Sequence, residues 1–195
     1  NSTDVFSRHD YNKDICEYNS FYSDSKLEII VETSYYQPSY PFIKHEINCY
    51  VGMFSKKIKV LMPVEFEAIS FRMNVQSLER TFIEKVFALC DYKIQNMMDR
   101  NSRHLYDISK IYPNIEINNN FKELIKKVRT ERMKSKNNPS ANIKYNINKM
   151  LIEIVNTRFY ESDYKNITQK LLYENVNYDE AINNGIALII NKNLF

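Results

Sequence analysis

The chain has 195 residues, 44% hydrophobic and 13% aromatic, enough to bury a core and form one domain, or one domain with a helical extension. Lys and Arg number 27 against 24 Asp and Glu, and the resulting +3 permits an RNA or nucleotide partner without demanding one. Only two glycines occur, Gly52 and Gly185, which excludes a glycine-rich phosphate-cradling loop.

The first residues, Asn1 to Arg8, lack the charged-then-apolar order of a signal peptide. No window approaches eighteen uninterrupted apolar residues, so no membrane partner is expected and the protein is read as soluble and cytoplasmic. The first residue is not methionine, as expected of a piece of something longer. Cys16, Cys49 and Cys90 are odd in number, far apart and without C-x-x-C spacing, so buried thiols are expected rather than disulfides or a zinc site.

From Lys26 to Arg72 the apolar residues come in short β-rich runs, namely Leu27–Val31, Ile43–Ile47 leading to Cys49–Val51, Ile58–Met62 and Phe66–Phe71. Pro38, Pro41, Gly52 and Pro63 punctuate them, and three or four strands of one sheet are expected. At Ser77, a good N-cap, the period becomes helical, with Leu78, Phe82, Val86 and Leu89 along one side. A second helix opens near Asn101-Ser102 and runs to Tyr112, where Pro113 stops it. A third spans Phe121 to Met133, with Phe121, Leu124, Ile125 and Val128 inward, before the polar loop Lys134–Ser140. Further helices are read over Ile147–Val155, Asp163–Tyr173 and Tyr178–Asn191. The order implies an α+β fold, with residues 1–76 a β-rich core and 77–195 a helical part. The asparagine- and lysine-heavy loops are read as codon bias rather than function.

Among the charged residues, Lys85 lies off the apolar stripe of its helix, on a face with Thr81 and Ala88. By spacing alone it is a snorkelling surface lysine. Arg103 and Asp107 share a face of the next helix, and by spacing alone they make an ordinary i,i+4 ion pair worth a few tenths of a kcal/mol. Lys122 to Lys136 holds seven Lys or Arg against two Glu; it fits either an RNA backbone or the solvated face of an amphipathic helix. The His, Cys and Ser residues form no hydrolase or protease constellation.

The stretch Ser77-Leu-Glu-Arg-Thr-Phe-Ile-Glu-Lys85, followed by Arg103-His-Leu-Tyr-Asp107, resembles the second half of the AbiEii/AbiGii-type nucleotidyltransferase toxins of the polymerase-β-like superfamily. Members carry a Glu-Lys on one helix and an Arg-His-x-Tyr-Asp on the next. Glu161–Tyr164 and Tyr178–Ala181 extend the resemblance over most of residues 26–193. It implies a partial nucleotidyltransferase sheet followed by a helical C-terminal part. It implies that Lys85 contacts a triphosphate and that Asp107 lines the cleft and orients the lysine or nucleotide. Arg103 and His104 would be further phosphate-binding candidates, while Tyr106 is structural.

Such enzymes hold two Mg²⁺ with three carboxylates, two of them in a Gly-Ser … Asp-x-Asp motif. By resemblance Glu28, in Lys26-Leu-Glu-Ile-Ile30, is the third; the alternative is a solvent-facing strand residue, since Glu32 lies on the same face. No Asp-x-Asp occurs, and Glu65-Phe-Glu67 is a decoy without a glycine turn before it. The resemblance thus implies part of a metal-dependent toxin that moves nucleotides from NTP to an RNA end, tRNA first among candidates, and is inactive as this stretch alone. A cognate antitoxin is the expected protein partner and DNA is not expected. The alternative is a non-catalytic RNA- or protein-binding module derived from that family.

Overall fold

The computed structural model describes residues 2–8, 11–19, 26–34, 40–59 and 70–195. The chain divides into two units, Asn1–Ser39 and Tyr40–Phe195, and is α+β.

The first unit is an antiparallel sheet of β1 (Ser2–Arg8), β2 (Tyr11–Asn19) and β3 (Lys26–Ser34), in that order. The register sets Ile15 opposite Ile30 and Glu17 opposite Glu28. β3 falls on the predicted Leu27–Val31 run, whereas β1 and β2 carry no readable signal. In β2 the residues Lys13, Ile15 and Glu17 share one face with Asp14 and Cys16 on the other, so each face mixes apolar with charged residues and neither is consistently apolar.

In the second unit β4 (Phe42–Ile47) pairs antiparallel with β5 (Phe71–Gln76), Phe42 opposite Gln76. The described strands therefore make two sheets rather than the expected single one. The segment after β4 is also not a strand: Tyr50–Ile58 is helix α1. Cys49 is extended and its Sγ accepts the Gly52 N–H at 3.2 Å, so a residue read as strand and a glycine read as a breaker together start a helix. Lys59, at φ 56°, ends it in the left-handed region. Of the expected strands Ile58–Met62 and Phe66–Phe71, the parts at 60–69 lie outside the described residues, as do Glu65 and Glu67; Phe71 opens β5.

The helices follow the pattern closely. α2 (Leu78–Ile94) starts where Ser77 Oγ accepts the Arg80 N–H at 3.2 Å, at the expected change of period. α3 (Arg103–Ile111) leads into a 3₁₀ turn, Tyr112–Asn114, that contains Pro113. α4 (Asn119–Arg132) and α5 (Ile147–Asn156) match their predicted spans. Two helical runs follow, each with a π turn: α6 (Glu161–Asp163), Tyr164–Thr168, α7 (Gln169–Leu171); then α8 (Tyr178–Ala181), Ile182–Ile186, α9 (Ala187–Lys192). Asn118, Asn146 and Asn177 each cap the helix that follows, so these loop asparagines do structural work that composition hid. Among the described residues no helix is long and apolar enough to cross a membrane.

α2 is the core helix: Phe82, Ile83, Val86, Phe87, Leu89 and Cys90 are all fully buried, although Leu78, expected inward, is 46% exposed. Of the cysteines only Cys90 is buried; Cys16 is half-buried and Cys49 exposed, against the expectation for all three. α3 contributes Leu105 and Ile108, and α4 contributes Phe121, Ile125 and Val128. The second π turn brings Gly185 so close to α3 that an added Cβ would stand 3.1 Å from the Ser109 nitrogen and 3.0 Å from Ile108 Cγ2.

Two arginines are buried with this apolar set. Arg132 of α4 pairs with Asp91 at 2.5 Å and with Glu84, both on α2, and donates to Asn138. Arg80 of α2 pairs with Glu84 at 3.0 Å and with Glu131 of α4 at 2.7 Å, and donates to the Tyr40 carbonyl. Asp91 also accepts the Ser140 N–H at 2.7 Å. Removing one partner from such a network leaves buried charge uncompensated. Arg132→Ala is therefore expected to lower the free energy of unfolding by about 3–5 kcal/mol, read by urea denaturation; a loss within noise would show that the network contributes nothing.

Candidate functional site

Beyond their shared apolar packing, two side-chain contacts join α2 and α3. Lys85 Nζ reaches Asp107 Oδ2 at 2.7 Å, and the Tyr92 and His104 rings stack with centroids 5.9 Å apart and planes 4° from parallel. Lys85 and Tyr92 lie two turns apart on one face of α2, and His104 and Asp107 one turn apart on α3. Early α2 thus meets late α3 and late α2 meets early α3, so the helices run antiparallel. Leu105 and Ile108 turn inward, which carries His104 and Asp107 to the margin of the core.

Sequence spacing offered Arg103 as the partner of Asp107. The aspartate pairs instead with the lysine of the other helix, 22 residues earlier. Arg103 is exposed and, among the described residues, forms no ion pair. Lys85 and Asp107 are about one quarter and one third exposed, so water screens the pair and its contribution to stability is modest. Tyr106 is half-buried against the core with Lys110 over its ring.

His104 carries no charge near neutral pH. Burial is the largest cause, the neighbouring Lys85 ammonium adds to it, and together they bring its pKa down to about 4. Asp107 acts the other way but stands 3.9 Å away, too far for a hydrogen bond, and His104 Nδ1 has no hydrogen-bond partner among the described residues. Any phosphate contact by His104 at neutral pH would use a ring N–H rather than a cation.

The turn that starts α3 is held from far along the chain. Ser102 is helical and makes no side-chain cap; instead Asp163 accepts the N–H groups of Arg100 at 2.8 Å and Ser102 at 3.1 Å. The Ser102 and Thr168 hydroxyls, both buried, lie 2.7 Å apart. Arg100 is left-handed at φ 62°, a conformation this bracing supports. Sequence reasoning missed Tyr92 and Asp163: Tyr92 carries one faint signal, its seven-residue offset from Lys85, and Asp163 carries none.

Glu28 lies exposed on β3 in the first unit, as does Glu32, to which the Tyr11 hydroxyl donates at 2.5 Å. Among the described residues no three His, Cys, Asp or Glu side chains converge on a metal position, so a two-ion site does not assemble from them alone. The basic stretch is partly committed to structure: Arg132 is buried, Arg129 donates to the Ala141, Asn142 and Tyr145 carbonyls, and Lys126 pairs with Glu123. Lys127 lies over the Tyr40 ring.

A family model described as "Nucleotidyl transferase AbiEii toxin, Type IV TA system" matches residues 5–184. No curated protein and no solved structure matches.

Two predictions follow from this geometry. Asp163→Ala leaves two backbone donors without their carboxylate and is expected to cost about 2–4 kcal/mol, with hydrogen-exchange protection lost first at the head of α3; unchanged protection there would contradict the capping role. For His104 the folded pKa is depressed below its unfolded value, so the unfolded chain binds the extra proton and stability falls as pH drops from about 6.5 towards 4. Its NMR titration midpoint should lie near 4 and move upward in Lys85→Ala; a midpoint near 6.5 would contradict the site as described.

Proposed function

The chain belongs to the AbiEii nucleotidyl transferase toxin family of type IV toxin–antitoxin systems, and from that premise we propose that Lys85 and Asp107 bind and orient the triphosphate of an NTP whose nucleotide is transferred to an RNA end. The observation that carries this reading is the 2.7 Å contact between Lys85 and Asp107 across two helices at a partly exposed position. A screened pair can exchange partners at low cost, so the Lys85 ammonium is free to turn to phosphate oxygens while the Asp107 carboxylate stays beside it. Arg103, exposed at the start of the same helix, is proposed as a second phosphate contact. His104 is proposed as an uncharged N–H donor, aligned by Tyr92.

Mg²⁺ would supply charge neutralisation on the transferring phosphoryl group. Glu28 is proposed as one carboxylate towards it, and because the sequence has no Asp-x-Asp the other ligands would come from outside this stretch. tRNA is the proposed acceptor, the cytoplasm the proposed compartment, and an antitoxin the protein that silences the activity. On this reading residues 1–76 contribute part of the nucleotidyltransferase core and residues 77–195 the helical part that grips the triphosphate.

The test compares this chain with a polypeptide extended upstream through a Gly-Ser … Asp-x-Asp segment, each incubated with tRNA, Mg²⁺ and labelled NTP. Transfer is expected from the longer protein alone, with Lys85→Ala and Asp107→Ala each lowering it by about 100-fold or more, the order of one preorganised electrostatic contact. Full activity in both variants would refute the assignment. Absence of transfer from the longer protein would favour the non-catalytic module instead.

A further inference from the structure

We propose that the cleft between the end of α4 and the start of α5 binds the phosphodiester backbone of single-stranded RNA, with Lys134, Lys136 and Lys144 as its cationic contacts. The inference rests on RNA being the acceptor. The cleft has a volume of about 520 Å³, and Lys134, Lys136, Lys144 and Tyr145 are among its lining residues. Among the described residues nothing acidic lines it. The three lysines are exposed, and among the described residues none forms an ion pair. In a chain whose net charge is only +3, three uncompensated ammonium groups at one concavity are a local excess that attracts a polyanion.

The rest of the lining suits nucleotides. Lys144 Nζ lies over the Tyr145 ring, 4.9 Å from its centroid, a cation–π contact that takes one face of the ring and holds both groups at the cleft. Met133, 49% exposed, offers apolar surface at the same concavity, and the exposed Asn142 side chain adds a polar group. Cations that follow a backbone, with an aromatic ring beside them, are what strand binding without sequence preference needs.

The loop is also built to hold its shape. Its start is fixed by Arg132, which pairs with Asp91 and donates to Asn138; its middle by the Ser140 N–H on Asp91 and the Ser140 hydroxyl on the Phe87 carbonyl; its end by Arg129 on three carbonyls, at 2.6 to 3.1 Å. A loop whose anchors are paid for in the core needs little further ordering when a ligand arrives.

The experiment measures binding of a fluorescein-labelled 15-nucleotide single-stranded RNA to the whole chain by anisotropy, over a range of salt. The Lys134→Ala/Lys136→Ala/Lys144→Ala variant is expected to bind at least tenfold more weakly, with the slope of log K against log salt reduced by about 2, as for three lost contacts to a single strand. A charge-matched variant, Lys122→Ala/Lys165→Ala/Lys170→Ala, should lose less than threefold and keep most of its slope. Competition with ATP separates sources of the same chemistry, since a cleft for RNA is emptied by unlabelled RNA at concentrations where ATP leaves it filled. Equal losses in the two variants, or displacement by ATP at matched phosphate concentration, overturn the cleft while leaving RNA as the acceptor. No RNA binding by the unsubstituted chain overturns both. Loss of the Lys85 and Asp107 dependence of transfer, with RNA binding intact, overturns the triphosphate assignment alone.

Discussion

Two guanidinium groups buried between α2 and α4 set the terms for the helical unit. A charge removed from water is tolerated only where its partners stand at hydrogen-bond distance, so Arg80 and Arg132 fix α4 against α2 residue by residue where apolar packing alone would allow a slide. The same network reaches outward through Asp91 to Ser140 and through Arg80 to the Tyr40 carbonyl. The loop after α4 and the segment before β4 are thereby referred to the helix that carries Lys85. Positions on the surface inherit their precision from charges inside.

The contact between α2 and α3 works by a different balance. Its polar half is a partly exposed ion pair that contributes little to stability; its aromatic half is a stacked tyrosine and histidine whose burial keeps the imidazole neutral. One cation and one anion face each other with an uncharged ring beside them. Were His104 charged, it would compete with Lys85 for Asp107. Its neutrality leaves the carboxylate to the lysine and the exposed side of the lysine to whatever anion approaches.

Much of this was legible in the chain. Helix positions, the change of period at Ser77 and the stop at Pro113 follow from local rules, and the structure agrees with them to within a few residues. The Lys85 and Asp107 pairing was legible only through a family motif, since spacing favoured Arg103. What stayed hidden depends on partners remote in sequence: Asp163 is 61 residues from Ser102, and Arg132 is 41 from Asp91. Arg132 and Arg129 look like surface cations in a basic run until α2 and the loop carbonyls are in place. The helix at Tyr50 was hidden for another reason, because a cysteine took the capping role usually given to serine or asparagine.

The close seat of Gly185 against Ile108 and Ser109 has a bearing on synthesis. α3 is made more than seventy residues before the π turn that packs on it, and its first turn waits more than fifty residues for the Asp163 carboxylate. During translation, therefore, the helix bearing Asp107 leaves the ribosome with α2 already made but before the carboxylate and the π turn that complete its setting.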